Sequence, residues 1–263
     1  MIHSLITKLA LVAVMCSCVW QLAVGQYRID SAQAVRQQKL ERLAKDSSAV
    51  RAEDIQRPYS RTPPTPKALS ATEREVILSG DTTLLMRVIQ DTVAAEEAIL
   101  RTQSEDIDPG EPLLPLLAKR MYLSVTDSLH PGVGIAAPQV GINRNLIWVQ
   151  RFDKPGEPME LYLNPKITWR SKLLRKGLEG CLSIPDTMGQ VLRNYTIRLT
   201  YQDSEGVQHE EMVEGFTAVI FQHETDHLYG ILFSDRQAEQ TQEAYHRING
   251  ETELYLKERL RRQ

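Results

Sequence analysis

The chain has 263 residues, 42% of them hydrophobic and 25% charged, a composition typical of a globular protein. Its formal net charge is −3, from 31 basic and 34 acidic side chains spread along the sequence. Without a polybasic surface, a role that depends on binding nucleic acid or an anionic membrane is not expected, whereas a peptide partner stays open. The length suits one domain of roughly 150 to 170 residues with extensions.

The first 25 residues are typical of a secretory signal. A single lysine, Lys8, precedes an apolar run from Leu9 to Trp20, and the small-x-small site Ala23-Val24-Gly25 follows. This order predicts export to the periplasm or the outside of the cell, with cleavage after Gly25. The alternative is a lipoprotein anchored through Cys18. Since the apolar run is short for a membrane span, no transmembrane domain is expected in the mature chain.

Residues 26–70 are polar and charged and include a proline-rich stretch, which predicts an N-terminal extension and linker. From residue 71 apolar residues recur at helical spacing, first over 84–93 and then over 113–129. A loop is expected between them at 105–112. The sequence therefore predicts two helices at the start of a domain that spans 71–236.

The sequence beyond these helices is typical of short β-strands. The β-rich segments bounded by turn residues lie at 146–149, 161–163, 166–169, 190–193 and 197–201. A turn at 203–206 predicts a hairpin with 207–213. After Phe233 a last helix is expected, continuing as a C-terminal helical extension at 237–263. This order of elements predicts an α+β fold.

The segment 222–227, Gln-His-Glu-Thr-Asp-His, contains an H-E-x-x-H motif. On a helix this spacing places His223 and His227 on one face, close enough to bind one metal ion. Apolar residues before the motif and Gly230 after it predict a short buried helix. Asp226 is expected to be structural, as a hydrogen-bond partner of a histidine. Two ligands do not complete a site, and H-E-x-x-H also recurs by coincidence.

Two further stretches supply candidate site residues. Cys181, in Glu-Gly-Cys-Leu-Ser at 179–183, is the only cysteine beyond residue 25. Its thiolate could be a third metal ligand, although a free cysteine is more often a small buried hydrophobe. The stretch 132–141 contains five glycines or alanines, which let a backbone approach a ligand closely or form a tight loop. It lacks the spacing of a dinucleotide-binding loop.

Together, the three stretches resemble peptide deformylase, a family marked by G-x-G-x-A-A-x-Q-x-G, E-G-C-L-S and Q-H-E-x-D-H-L-x-G in this order. The resemblance covers residues 78–236. It implies small antiparallel sheets around a central H-E-x-x-H helix, and removal of the formyl group from N-formylmethionyl peptides. It also implies that Cys181, His223 and His227 hold one divalent metal ion, usually Fe²⁺, with Zn²⁺, Ni²⁺ or Co²⁺ able to replace it.

Further roles follow from the residue types and from the resemblance. Glu224 lies beside a ligand but cannot itself face the metal, so it is expected to be the general base and then the general acid. The Gln139 amide and the backbone N–H of Leu182 resemble the family's oxyanion stabilisers. Gly134 and Ile135 are expected to line the substrate strand. The oligomeric state is left open by the sequence.

The sequence is compatible with three functions. An active deformylase is favoured because every chemical position is filled. An exported H-E-x-x-H metallopeptidase of other specificity is the first alternative, but no third histidine or downstream glutamate follows His227 at a familiar spacing. A non-catalytic protein that binds formyl-peptides or metal is the second, and the intact Glu224 and Gln139 argue against it. The expected export departs from the family pattern, since deformylases ordinarily act on nascent chains in the cytosol.

Overall fold

The computed structural model describes residues 66–241, 244–248 and 253–257. The predicted signal and most of the predicted linker therefore lie outside the described residues. The helices are α1 (Ala71–Leu78), α2 (Ala94–Leu100), α3 (Leu114–Val125), a 3-10 helix (Ala137–Val140), α4 (Gly215–Leu228) and α5 (Phe233–Gln240). Of these, none is long and apolar enough to cross a membrane.

The strands form two sheets. They are β1 (Gly134–Ala136), β2 (Leu146–Gln150), β3 (Met159–Arg170), β4 (Leu173–Cys181), β5 (Ile184–Asn194), β6 (Thr196–Gln202), β7 (Gln208–Glu214), β8 (Tyr245–Arg247) and β9 (Leu254–Lys257). One sheet has the order β1-β2-β3-β6-β7 and the other β5-β4-β9-β8. All their paired strands run antiparallel. Helix α4 contacts both sheets, so the predicted α+β fold around a central helix is confirmed.

Helix α4 is held mainly by apolar packing. Phe221 and Leu228 of the helix lie in one buried cluster with Ile147 and Val149 of β2. Burying a side chain of this size stabilises a fold by roughly 1.5–3 kcal/mol. Glu214, at the N-terminal end, makes no side-chain cap to the helix. The packing against the sheet therefore fixes the position of the H-E-x-x-H motif.

The C-terminal end of α4 is where the sequence predicts it. Gly230 adopts a left-handed conformation with φ +71°. A Cβ at this position would lie 2.2 Å from the carbonyl oxygen of Arg101. Only glycine satisfies both the dihedral angle and the close approach. The predicted stop of the helix is thus confirmed.

The segment 84–93, predicted as a helix, contains neither helix nor strand. Arg120 of α3 donates from its guanidinium to the carbonyl of Leu84 at 2.9 Å. Ser124 Oγ donates to the carbonyl oxygen of Met86 at 2.8 Å. Because side chains of α3 engage backbone groups that a helix would pair internally, the helix prediction is wrong. The second predicted helix is confirmed as α3.

All the predicted strands are present, including the β6–β7 hairpin. The sequence did not reveal β1, β4, β8 or β9. Strand β4 reads Leu-Leu-Arg-Lys-Gly-Leu-Glu-Gly-Cys, which contains no β-branched or aromatic residue. Its strand conformation comes from pairing with β5 along most of its length. The strand that carries Cys181 was therefore missed for lack of a local signal.

The predicted C-terminal helical extension at 237–263 is wrong for the described residues beyond Gln240. Tyr245–Arg247 and Leu254–Lys257 are strands, and β9 pairs with β4 from Leu173 to Arg175. An open strand edge offers unpaired N–H and C=O groups, and pairing them outweighs helical propensity. The sequence did contain a hairpin signal, Asn-Gly at 249–250, which lies outside the described residues.

Candidate metal centre

The three predicted ligands come together at the junction of the two sheets and helix α4. One donor atom each of Cys181, His223 and His227 lies within 4.8 Å of the others. Cys181 Sγ lies 3.2 Å from His227 Nε2. The histidines are on α4 at the predicted four-residue spacing, and Cys181 is the last residue of β4. The fold thus brings together residues more than 40 positions apart.

Cys181 points toward the histidines because the β4–β5 pairing becomes irregular at its end. The regular register stops at Gly180, and Cys181 pairs instead with Ile184. Such irregularities re-aim a side chain at the end of a ladder. The cysteine also packs against a small buried cluster that contains Ile184 and Phe233. Its sulfur is therefore held from the apolar side and presented toward His227.

The electrostatics of this cluster suit a bound cation. Burial raises the pKa of the Cys181 thiol, but the imidazoles of His227 and His223 lower it well below its usual value of 9.0. Burial lowers the pKa of His223, but Cys181 and Glu179 raise it well above 6.5. The thiolate form of Cys181 is therefore favoured, and so is a positive charge beside its sulfur. A thiolate with two imidazoles is a donor set typical of a single divalent transition metal.

His223 is oriented from behind by Glu179. The Nδ1–H of the imidazole donates to Glu179 Oε2 at 2.9 Å, which leaves Nε2 as the ligand atom. Burial raises the pKa of Glu179, yet hydrogen bonds from Arg193 and His223 lower it to about 2. Arg193 holds this carboxylate in a bidentate pair at 2.8 and 2.9 Å. The ligand's tautomer and ring orientation are therefore fixed by a buried ion pair.

Asp226 has arginine partners rather than the predicted histidine. Its carboxylate accepts hydrogen bonds from Arg193 and from Arg236. It thus acts on His223 only through Arg193 and Glu179. The prediction of a structural role is compatible with this geometry, whereas the predicted partner is wrong.

Glu224 is buried beside the ligands, with only 4% of its surface exposed. Its Oε2 has no hydrogen-bond partner among the described residues. Burial raises the pKa of Glu224 to about 7, although the neighbouring His223 and His227 oppose the rise. A carboxyl group that titrates near neutrality can both accept and return a proton. The burial of Glu224 and its raised pKa are compatible with the predicted proton transfer, and its role stays a prediction.

Gln139 presents its amide nitrogen to the cluster. Its Oε1 accepts from the backbone N–H of Ala136 at 2.8 Å, which fixes the orientation of the amide. Its Nε2 lies 3.4 Å from both Cys181 Sγ and Ser183 Oγ. A donor is therefore held in place beside the sulfur. Its role toward an oxyanion stays a prediction.

A cavity of about 580 Å³ opens onto these groups. Glu224, Gln139, Gly134 and Leu182 all contribute to its wall. Ile135 does not line it, because the side chain of Ile135 is fully buried in the apolar core. Substrate contact by Ile135 is thus limited to its backbone, and this contact stays a prediction. The volume suits a peptide end or another small ligand.

Apolar side chains rim the cavity on its open side. Leu178 and Met188 are 56% and 64% exposed, and Phe216 of α4 joins them. Large apolar side chains this exposed around a concave site favour contact with an apolar part of a ligand.

Residues 89–243, more than half of the chain, match the polypeptide deformylase family. The chain belongs to the peptide deformylase family. It is therefore a metal-dependent hydrolase. The donor set of Cys181, His223 and His227 is consistent with the single divalent ion typical of these enzymes.

Similar deformylases are found in bacteria and plants. The peptide deformylase of Leptospira biflexa is 37% identical over 147 residues, which cover 52% of this chain and 82% of the relative. That of Synechocystis is 39% identical over 141 residues, covering 53% and 74%. A class I type b enzyme from Acinetobacter baumannii, solved with Met-Ala-Ser bound, aligns with a TM-score of 0.52 at 34% identity, covering 58% of this chain and 98% of the other.

The sequence did not assign two residues of this deformylase site, Glu179 and Arg193. Glu179 stands two positions before Cys181 in a recognised motif, and a carboxylate so close to a predicted ligand was a usable signal. Arg193 carried no such signal, since it reaches Glu179 and Asp226 from a neighbouring strand.

Gly134→Ala is expected to lower turnover of this deformylase by roughly tenfold or more, with metal content unchanged. A Cβ at residue 134 would lie 2.5 Å from Glu224 Oε1, so the buried carboxylate must move. The matched control is Gly177→Ala on β4, where a Cβ meets no atom within 4 Å. Steady-state kinetics and elemental analysis measure both quantities. Equal turnover in the two variants would contradict the assigned contact.

Glu179→Gln is expected to weaken metal affinity by roughly tenfold to a hundredfold, because His223 loses its charged acceptor. It should also lower the free energy of unfolding by about 1–3 kcal/mol, since Arg193 keeps only part of its pairing. Chelator competition and urea denaturation measure the two effects. Glu75→Gln, on the exposed face of α1, is the control. Unchanged metal affinity would show that His223 does not depend on Glu179.

Proposed function

We propose that this deformylase removes the formyl group from peptides that begin with N-formylmethionine. The observation that carries the proposal is the buried carboxyl of Glu224 beside the Cys181, His223 and His227 donors, at the end of an apolar-rimmed cavity. The similar enzyme from Acinetobacter baumannii binds Met-Ala-Ser, a peptide of the kind that deformylation releases. An apolar rim at Leu178 and Met188 suits a methionine side chain.

In this proposal Glu224 moves the proton. A divalent ion held by the three ligands would supply Lewis-acid chemistry, lowering the pKa of a water toward ~7. Glu224 would take a proton from the attacking water as the oxygen of that water molecule adds to the formyl carbon. It then delivers the proton to the amide nitrogen as the carbon–nitrogen bond breaks. The products are formate and a peptide with a free amino terminus.

Gln139 and Leu182 would stabilise the charge that develops on the formyl oxygen. The Gln139 Nε2 is held near the ligands by the bond from Ala136 to its Oε1. The backbone N–H of Leu182 follows Cys181 directly in the chain. Donors fixed before the reaction stabilise an oxyanion without reorganising. The backbone of Gly134 and Ile135 would align the peptide as an added strand.

Release of formate from a formyl-Met peptide by the metal-loaded chain tests this function. Formate production with no cleavage of casein is the expected result. Casein cleavage without formate would instead favour a general metallopeptidase. Binding of the peptide without turnover would favour a non-catalytic role.

We also propose that the enzyme works outside the cytoplasm after cleavage at Gly25. Lys8, the apolar run over 9–20 and the small residues at 23–25 support this proposal. There Fe²⁺ and the Cys181 thiolate both oxidise readily, so we expect Zn²⁺ to take a larger share of the site than in cytosolic relatives. Cell fractionation, N-terminal sequencing and elemental analysis of the purified protein test these points. A cytosolic protein that begins at Met1 would refute export.

A further inference from the structure

A second cavity, of about 1500 Å³, lies beside the face of α4 that carries Gln222 and Asp226. The rest of its wall comes from the end of β3, the β3–β4 turn, the start of β4, the end of β5, helix α5 and strands β8 and β9. Strands β8 and β9 follow residue 243, where the family match ends. The cavity is therefore built partly by a segment outside the matched deformylase domain.

The wall of this cavity is strongly cationic. Among the described residues that line it, five side chains are cationic and two are carboxylates: Arg170, Lys172, Arg193, Arg236, Lys257, Asp226 and Glu239. The chain as a whole has a net charge of −3. The positive charge is thus concentrated here and is not a general property of the surface. Concave sites of one sign concentrate ligands of the other.

Two of these cations have no ion-pair partner in the part of the chain that the structure describes. Arg193 and Arg236 both pair with Asp226. Arg170 and Lys172, by contrast, form no ion pair or side-chain hydrogen bond with the described residues, and both are exposed. Although the Arg170 side chain reaches solvent, desolvation of its guanidinium and the like charges of Arg236 and Arg193 lower its pKa, against the opposing effect of Asp226. An anion beside Arg170 would act in the same direction as Asp226 and favour the charged guanidinium.

We propose that this cavity binds a phosphate-bearing small molecule through Arg170 and Lys172. A phosphate group carries up to two negative charges and several acceptors. It therefore suits a cavity lined by both a guanidinium fork and an ammonium group better than a single carboxylate does. The net negative charge of the chain disfavours an extended polyanion, so a small molecule is the expected ligand. Leu174, Leu192 and Leu256 line the same space and would contact an apolar body attached to the phosphate.

The site is separate from the proposed catalysis but shares one wall with it. Arg193 and Asp226 line the cavity, and Arg193 also holds Glu179, the partner of His223. Neither Arg170 nor Lys172 contacts that network directly through an ion pair among the described side chains. Removing their charges should therefore weaken anion binding and leave formate release unchanged.

Calorimetric titration of the metal-loaded full chain with inorganic phosphate and with phenyl phosphate tests the proposal. We expect one site per chain, with phenyl phosphate the tighter ligand. The double variant Arg170→Gln/Lys172→Gln should weaken both affinities by about tenfold or more. The control Lys119→Gln/Arg198→Gln removes the same charge from exposed positions outside the cavity, and should change affinity by less than about twofold at moderate salt.

Three results would overturn the site. The first is no binding of phosphate by the unchanged protein, and the second is an equal loss of affinity in both double variants. The third is unchanged affinity in Arg170→Gln/Lys172→Gln, which would place the anion elsewhere, such as on the metal. Phenyl phosphate no tighter than inorganic phosphate would overturn the apolar contact. Formate release by the Arg170→Gln/Lys172→Gln variant separates this proposal from the proposed activity, because binding can fail while turnover persists.

Discussion

Glu224→Gln is expected to lower turnover of a formylated peptide by roughly a hundredfold or more, while the metal content stays stoichiometric. Glutamine keeps the shape of the buried side chain but cannot accept a proton at neutral pH. Glu224 is not one of the three clustered ligand residues, so its replacement removes no donor. Single-turnover kinetics with elemental analysis on the same sample measure the two effects.

The control for this variant is Glu75→Gln, which removes one carboxylate from an exposed position on α1. Turnover by the control should match that of the unchanged protein. If Glu224→Gln loses metal together with activity, the residue acts as a ligand and the assignment of a proton-transfer role is wrong. If it keeps full activity, another group must take the proton.

Cys181→Ala is expected to abolish both stoichiometric metal binding and turnover. Two imidazoles remain, and a site with two protein donors binds a divalent ion far more weakly than a site with three. Cys181→Ser separates sulfur chemistry from size, because a hydroxyl of similar shape is not ionised at neutral pH. We expect the serine variant to behave like the alanine variant in chelator competition.

Ser183→Ala is the matched control for these cysteine variants. Ser183 is fully buried near Gln139 but is not one of the clustered donors. It should therefore keep its metal. Full metal content in Cys181→Ala would contradict the ligand assignment, and elemental analysis after dialysis decides the point.

The elements that the sequence predicted correctly carry strong local signals. Helix α4 combines an apolar run, the H-E-x-x-H spacing and the stop at Gly230, and strands β2, β3, β6 and β7 combine β-branched or aromatic residues with turns. Each of these signals acts within a few residues along the chain. Periodicity and turn chemistry are therefore enough to find them.

The elements that the sequence mispredicted depend on partners far along the chain. Segment 84–93 has helical periodicity, but its backbone bonds to side chains of α3, such as Arg120 and Ser124. The region after Gln240 was predicted as helix, yet its described part pairs as strands with the edge of β4. A hydrogen bond to a distant partner outweighs a local propensity worth only a fraction of a kcal/mol per residue.

The sequence by itself selected Cys181, His223 and His227 as the candidate ligands, because their residue types and the order of the three family motifs indicate a metal site without reference to distance. Only the tertiary structure decided how they are supported. The ion pair of Glu179 with Arg193 joins β4 to β5. The close approach of Gly134 to Glu224 joins β1 to α4. Packing two sheets against one helix excludes water, so the buried charges of Glu179 and Arg193 pair with each other, and the same packing brings Gly134 against the Glu224 side chain.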